Sequence, residues 1–242
     1  KVQIGWLIGL PVLSGSILRL PIGLLTDRYG GRIVFSILML LSAIPMWLLS
    51  YATSYAQFVG YSLGFGLAGA SFAVGIAYTS VWFPKEQQGT ALGIFGTGNA
   101  GSALTSMGAP LLLKHLVAGA SGLEAWRLMP RIYASGIALT AVVFWFATYD
   151  RRVPGATTKT LAQRLAPLRS MRVWRFGLYY FLVFGCFVAF SQWLVPYFVN
   201  AYYMPLVTAG ILASIFSFPS GVIRAFGGWL SDRFGARRVM FW

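Results

Sequence analysis

Long apolar runs, each close to the thickness of a lipid bilayer, dominate this chain and leave it one solvent to fold in. They lie at roughly 3–25, 33–51, 56–82, 90–113, 131–148, 174–199 and 206–230, and an eighth begins near 239. A helix needs about 20 mostly apolar residues to span hydrocarbon. The composition agrees: 57% of residues are hydrophobic, 10% are charged and the mean hydropathy is +0.70, whereas soluble domains carry about 25% charge. The expected class is all-α, a polytopic membrane bundle. Gly and Pro recur inside the runs, as they do where neighbouring helices re-satisfy the backbone. Gly60, Gly64, Gly66 and Gly69 of the third run suit close helix packing.

The charges lie mainly between the runs. One side carries Arg28, Arg32, Lys85, Arg151, Arg152, Lys159, Arg164, Arg169, Arg172, Arg175, Arg233, Arg237 and Arg238; the other carries Lys114, Arg127 and Arg131. The positive-inside rule puts the first group in the cytoplasm. The net charge of +14 is therefore an orientation signal, and nucleic acid is not an expected partner. Cys186 is the only cysteine and His115 the only histidine, so a disulfide framework and a haem with two histidine ligands are excluded within this chain. No Ser-His, Cys-His or metal-ligand cluster is present, so neither an enzyme nor a metal or cofactor site is expected. Lys1 opens straight into an apolar run without the basic flank of a signal peptide. Both ends read as truncated, as in a piece of a longer protein.

Two of the charges interrupt apolar runs at equivalent points of a repeat. Gly15-Ser-Ile-Leu-Arg19 leads to Gly23-Leu-Leu-Thr-Asp27-Arg28-Tyr-Gly30-Gly31-Arg32. Ser220-Gly-Val-Ile-Arg224 leads to Gly228-Trp-Leu-Ser-Asp232-Arg233-Phe-Gly235-Ala-Arg237. Matched positions are 205 apart (224 − 19, 232 − 27, 237 − 32). A charge in hydrocarbon costs several kcal/mol unless something recovers it, and a symmetric pair, Arg19 and Arg224, points to an anion site. Small residues one turn either side, Gly15 and Gly23, Ser220 and Gly228, share the arginine stripe and leave room beside the guanidinium. Gly30 and Gly235 permit a sharp turn between helices. Asp27 and Asp232 suit pairing with Arg28, Arg32, Arg233 and Arg237, or capping of the next helix, as a conformational latch.

The repeated Gly-x-x-x-Asp-Arg-x-Gly-x-Arg pattern resembles the loop motif of the major facilitator superfamily, which follows the second and eighth helices there. The resemblance covers the whole chain. It implies two pseudo-symmetric bundles: residues 1–149 hold helices two to six, 150–173 form a cytoplasmic linker, and 174–242 hold helices seven, eight and the start of nine. Within the linker, Thr160 to Arg169 has the composition of a short basic amphipathic helix or of a solvated connection.

The fourth run contains Gly93-Ile-Phe-Gly96-Thr-Gly98-Asn99-Ala-Gly101, a small-residue face with one polar side chain. With the arginines and the Trp82-Phe83-Pro84-Lys85 turn, it resembles the signature of the nitrate/nitrite porters. That resemblance implies an anion clamp of Arg19 and Arg224, a lining of Asn99 and Gly98, a hydroxyl from Tyr180, and apolar walls from Phe72 and Phe184. It also implies a monomeric multi-pass transporter of nitrate or nitrite, with a role in nitrate assimilation, in a bacterial inner membrane. An arginine fork matches two in-plane oxygens of a planar oxyanion, which a lysine does not. The five acids, Asp27, Glu86, Glu124, Asp150 and Asp232, all lie outside the deep parts of the runs. This favours anion exchange over proton coupling, which usually needs an intramembrane carboxylate or histidine, but Ile94-Phe95-Gly96-Thr97-Gly98-Asn99 also resembles the proton-coupled importers of the family, so both an antiporter and a symporter stay open. The alternatives are a facilitator of another small anion and a membrane anion sensor.

Overall fold

A computed structural model describes residues 2–119, 125–151 and 160–241, and among these the regular structure is entirely helical. The helices are α1 (Val2–Tyr29), α2 (Gly31–Leu49), α3 (Tyr55–Phe65), α4 (Ser71–Trp82), α5 (Gln88–Gly96), α6 (Gly101–Gly119), α7 (Leu128–Ala147), α8 (Leu161–Leu165), α9 (Met171–Tyr202), α10 (Leu206–Phe234) and α11 (Ala236–Phe241). Two of the long runs change winding in the middle. A 3-10 segment, Gly66–Ala70, joins α3 to α4, and another, Thr97–Ala100, joins α5 to α6. Six stretches are long and apolar enough to cross a membrane: Val2–Tyr29, Gly31–Leu49, Tyr55–Trp82, Ala125–Ala147, Met171–Tyr202 and Leu206–Phe234.

The run expected at 90–113 is helical but is not among those six; its Gly, Thr, Asn and Ser residues dilute its apolar character. Its helix also runs on to Gly119, so Lys114 and His115 sit on a helix rather than in a loop. The next span begins earlier than its apolar pattern, in a 3-10 turn at Ala125–Arg127. The linker segment forms only the short helix α8, opened by a reciprocal Thr160–Gln163 cap, followed by a 3-10 turn. Lys159 and Arg152 lie outside the described residues.

The described residues fall into two compact units that do not follow chain order. One takes those of Lys1–Pro84 and His115–Thr157; the other takes those of Lys85–Lys114 and Thr158–Trp242. In the first, α2 packs along α7, and α1 packs along α3, α4 and the 3-10 segment between them. In the second, α10 packs along α5 and its 3-10 continuation on one side and along α9 on another.

Small residues make these contacts. A Cβ on Gly15 would fall 2.5 Å from the Gly66 carbonyl oxygen, and one on Gly64 would fall 2.8 Å from the Pro45 ring. Along α10, a Cβ on Gly221 would meet the Ala100 backbone at 2.6 Å, and one on Gly228 would run into the Gly89 carbonyl. The buried set is accordingly small, with Ala70, Val74, Ala209, Ala213 and Ser217 wholly enclosed, while most large apolar side chains are exposed. Helices in hydrocarbon gain nothing by burying Leu from lipid, so they associate by close backbone approach.

The two hairpin turns have the same backbone. Gly30 and Gly235 both adopt positive φ, 94° and 87°, a region that side-chain-bearing residues rarely enter. Both turns thus reverse the chain within one residue of a long helix.

Replacing Gly15 with Val should lower the thermal midpoint of the purified protein by the equivalent of about 1–3 kcal/mol, the usual cost of overpacking. Gly60→Ala, where a Cβ meets nothing within 4 Å, should leave the midpoint unchanged or raised.

Candidate functional site

Each of the two arginines sits in its own unit, against aromatic faces and beside a mid-span 3-10 segment. Arg19 of α1 is half-buried. Its Nε donates to the Gly69 carbonyl at 3.3 Å, and its guanidinium carbon lies 6.0 Å from the Phe72 ring centre. The 3-10 winding at Gly66–Ala70 departs from the i→i−4 ladder of an α-helix, and the Gly69 carbonyl in it meets the arginine.

Arg224 of α10 lies 5.4 Å from the Phe184 ring centre and 5.3 Å from that of Phe187. Tyr180 stacks on Phe184 at 4.8 Å, one turn along α9. The aliphatic stem of Arg224 rests on Gly96, where a Cβ would approach its Cδ to 3.1 Å. Asn99, three residues on, donates its Nδ2 to the Gly96 carbonyl at 2.9 Å, and Gly98 is exposed beside it. The second unit therefore brings together Arg224, Tyr180, Phe184, Gly96 and, in the adjoining 3-10 segment, Gly98 and Asn99. The first brings together Arg19 and Phe72. Phe187 is an additional neighbour of Arg224. Its spacing of seven from Tyr180 and three from Phe184 marks it as part of the same face, a signal present in the sequence but hidden among many aromatics.

The small residues flanking the arginines have two fates. Gly23 faces open space, whereas Gly15 and Gly228 are taken up by helix contact. The room anticipated beside the guanidinium therefore remains only at Gly23 of that glycine set. Ser220 turns its hydroxyl back to the Ser217 carbonyl at 2.9 Å.

At the hairpin turns, Asp232 accepts from the backbone N–H of Gly89 at 2.8 Å, the N–H of Thr90 at 2.6 Å and the Thr90 hydroxyl at 2.7 Å. It caps the N-terminus of α5, a helix remote in sequence, rather than α11, which follows it. The first N–H groups of a helix lack partners within it, and its positive dipole end favours a carboxylate. Gly89 is needed here, since a Cβ would collide with the carboxylate.

The arginines of the turns use other partners. Arg32 donates from Nε at 3.0 Å, and from a second guanidinium nitrogen, to the Trp145 carbonyl in the last turn of α7. It also lies 4.4 Å over the Trp145 ring. Arg28 lies 5.3 Å from the Tyr29 ring centre, and Arg233 packs on Trp229 and Phe234 at 5.5 and 5.6 Å. Asp27 and Arg237 are exposed.

The fold and the repeat define a polytopic α-helical membrane protein with an intramembrane arginine in each unit. The sequence model of the Major Facilitator Superfamily matches residues 1–242, and the chain belongs to that family of transporters. It is 46% identical to a probable nitrate/nitrite antiporter, NarK1, of Thermus thermophilus, over 100% of this chain and 55% of that protein. It is 32% identical to a nitrite extrusion protein of Bacillus subtilis, over 99% of this chain and 58% of that protein. It is 33% identical to a probable nitrate transporter, NarT, of Staphylococcus epidermidis, over 98% and 59% respectively. The chain thus spans a little over half the length of these relatives. With six membrane-length helices and bacterial relatives, it is a multi-pass protein of a bacterial inner membrane.

Asp232→Ala should free the first N–H groups of α5. Amide exchange at Gly89 and Thr90 should quicken, and stability should fall by about 1 kcal/mol, as for loss of a helix cap. Asp232→Asn should keep most of the protection.

Proposed function

We propose that the protein to which this chain belongs carries nitrate and nitrite across the membrane by alternating access, with the anion clamped by Arg19 and Arg224. The observation that carries the reading is the repeated placement of an arginine within a membrane-length helix, its guanidinium against phenylalanine: Arg19 with Phe72, Arg224 with Phe184. The names of the relatives supply the substrate.

The chemistry suits a small planar oxyanion. Guanidinium offers paired, coplanar N–H donors, stays charged at any biological pH, and binds two oxygens at once. Phe72 and Phe184 provide flat apolar walls, Tyr180 a hydroxyl, and Asn99 with Gly98 a polar lining. The two halves of the protein, 1–149 and the bundle that 174–242 begins, are joined by 150–173. In the empty site two like charges oppose closure of these halves; a bound anion offsets that repulsion and permits the rocking step. Asp27, Arg28 and Arg32, with Asp232, Arg233 and Arg237, serve as latches on the cytoplasmic ends, made and broken in each cycle. The Asp232 cap on α5 is the kind of contact such a latch uses.

The test is nitrate uptake into liposomes by the full-length protein. Flux should appear when internal nitrite or an imposed pH gradient is supplied, and the condition that drives it distinguishes exchange from proton coupling. Arg19→Lys and Arg224→Lys should each lower flux at least 100-fold with insertion and folding intact, since loss of one bidentate, desolvated contact costs about 3 kcal/mol or more. Nitrate flux near wild type in either variant removes the clamp, and an absence of flux under every condition removes the transport reading.

A further inference from the structure

On its outer surface the first unit holds a groove of about 400 Å³ between α2 and α7, lined by Leu40, Ala43 and Trp47 on one side and by Ala134, Ser135 and Ala138 on the other. These residues follow helical stripes. On α2 they fall at intervals of three and four, and on α7 they continue the stripe begun by Arg131, at three, four and seven residues further on. Ala43 and Ala134 are buried where the helices meet, while Leu40 and Trp47 stand exposed. Small side chains at the contact and large ones at the rim make the surface concave.

A charge stands next to the Trp47 end of this groove. Arg131 donates its Nε to the Ser50 hydroxyl at 2.9 Å, and its guanidinium lies 4.7 Å from the Tyr51 ring and 6.0 Å from the Trp47 ring. Among the described residues that is its only hydrogen bond, and it engages Nε alone. Ser50 is fully buried and also accepts at its carbonyl from Arg127 at 3.2 Å, so the platform under Arg131 is fixed. Trp47, Tyr51 and Trp126 cluster at the same helix ends, where aromatic side chains mark the headgroup level of a bilayer. From Leu40 to Trp47 the groove follows about 10 Å of helix, inside the roughly 15 Å of one leaflet's hydrocarbon.

We propose that this groove is a binding site for an anionic phospholipid of the outer leaflet, with an acyl chain between α2 and α7 and the headgroup phosphate on Arg131. An acyl chain matches the apolar lining and its depth. A phosphodiester matches a guanidinium that is held by a hydroxyl on one edge and open on the other. The recognition joins a shape for the tail to a charge for the head, so it discriminates between lipids of equal chain length.

Native mass spectrometry of the full-length protein tests this, with titration by phosphatidylglycerol, phosphatidylcholine or inorganic phosphate. The wild type should retain phosphatidylglycerol at least tenfold more than phosphatidylcholine and should not retain inorganic phosphate. Arg131→Gln should reduce phosphatidylglycerol to the phosphatidylcholine level, and Ala138→Phe, which fills the groove without touching the charge, should abolish retention of both. Arg131→Lys should keep a preference for phosphatidylglycerol, which secures the test if the glutamine variant does not fold. Equal retention of the two lipids by the wild type, unchanged retention in Ala138→Phe, retention of inorganic phosphate alone, or a groove occupied by a second copy or by another segment of the full-length chain overturns the proposal.

Discussion

The cost of placing arginine in or beside hydrocarbon organises this structure. The chain has 19 basic residues and five acidic ones, so most arginines cannot find a carboxylate. Several of those described turn instead to ring faces and to carbonyl groups at helix ends. Arg32 takes the Trp145 carbonyl in the last turn of α7, and Arg127 takes the Ser50 carbonyl at the end of α2. Each is a cation on the negative end of a helix, where the macrodipole and the orphan carbonyls both favour it. As a result α2 and α7 are tied at both ends, each by arginines at the start of the other. The same arrangement recurs deeper in the span, where Arg19 takes the carbonyl of Gly69 in a 3-10 turn and the face of Phe72.

Helix contact follows a second constraint, that polar backbone must approach closely when lipid removes the hydrophobic drive. Gly15 against Gly66 and Gly228 against Gly89 bring main chain onto main chain. The seam along α10 has a consequence for the site. It presses Arg224 onto Gly96, so the arginine stem is held by backbone and its head is carried toward Phe184 and Phe187. The adjoining 3-10 segment, Thr97–Ala100, holds Asn99. A winding change in the middle of a span is a common hinge, and here one lies beside each arginine.

Much of this was legible beforehand because the repeat is written in residues with narrow physical uses. A glycine between an arginine-rich turn and a new helix has few roles, and both copies adopt positive φ. The apolar runs match helices within a few residues, except that the helix at 90–113 runs on to Gly119 and is too polar to count among the membrane-length spans, and a 3-10 turn begins one span early, at Ala125. The stacking of Tyr180 on Phe184 agrees with their spacing of four. Less legible were contacts between residues far apart in the chain. The pattern around Asp232 suggests pairing with arginines or capping of the next helix, whereas its carboxylate caps α5. Arg127 and Arg131 have the placement of loop charges, yet both converge on Ser50.

The sequence by itself determined the class of the protein, the two hairpin turns and the placement of an arginine in each of two membrane-length helices. These follow from local quantities: run length, charge placement and a repeat at one offset. Only the tertiary structure decided which helix each end group serves, which glycines are consumed by packing and which remain open, and which rings face each guanidinium. Those outcomes depend on which helices lie side by side. In hydrocarbon that choice is made by close fit of small residues along whole helix faces, and no short stretch of sequence records it.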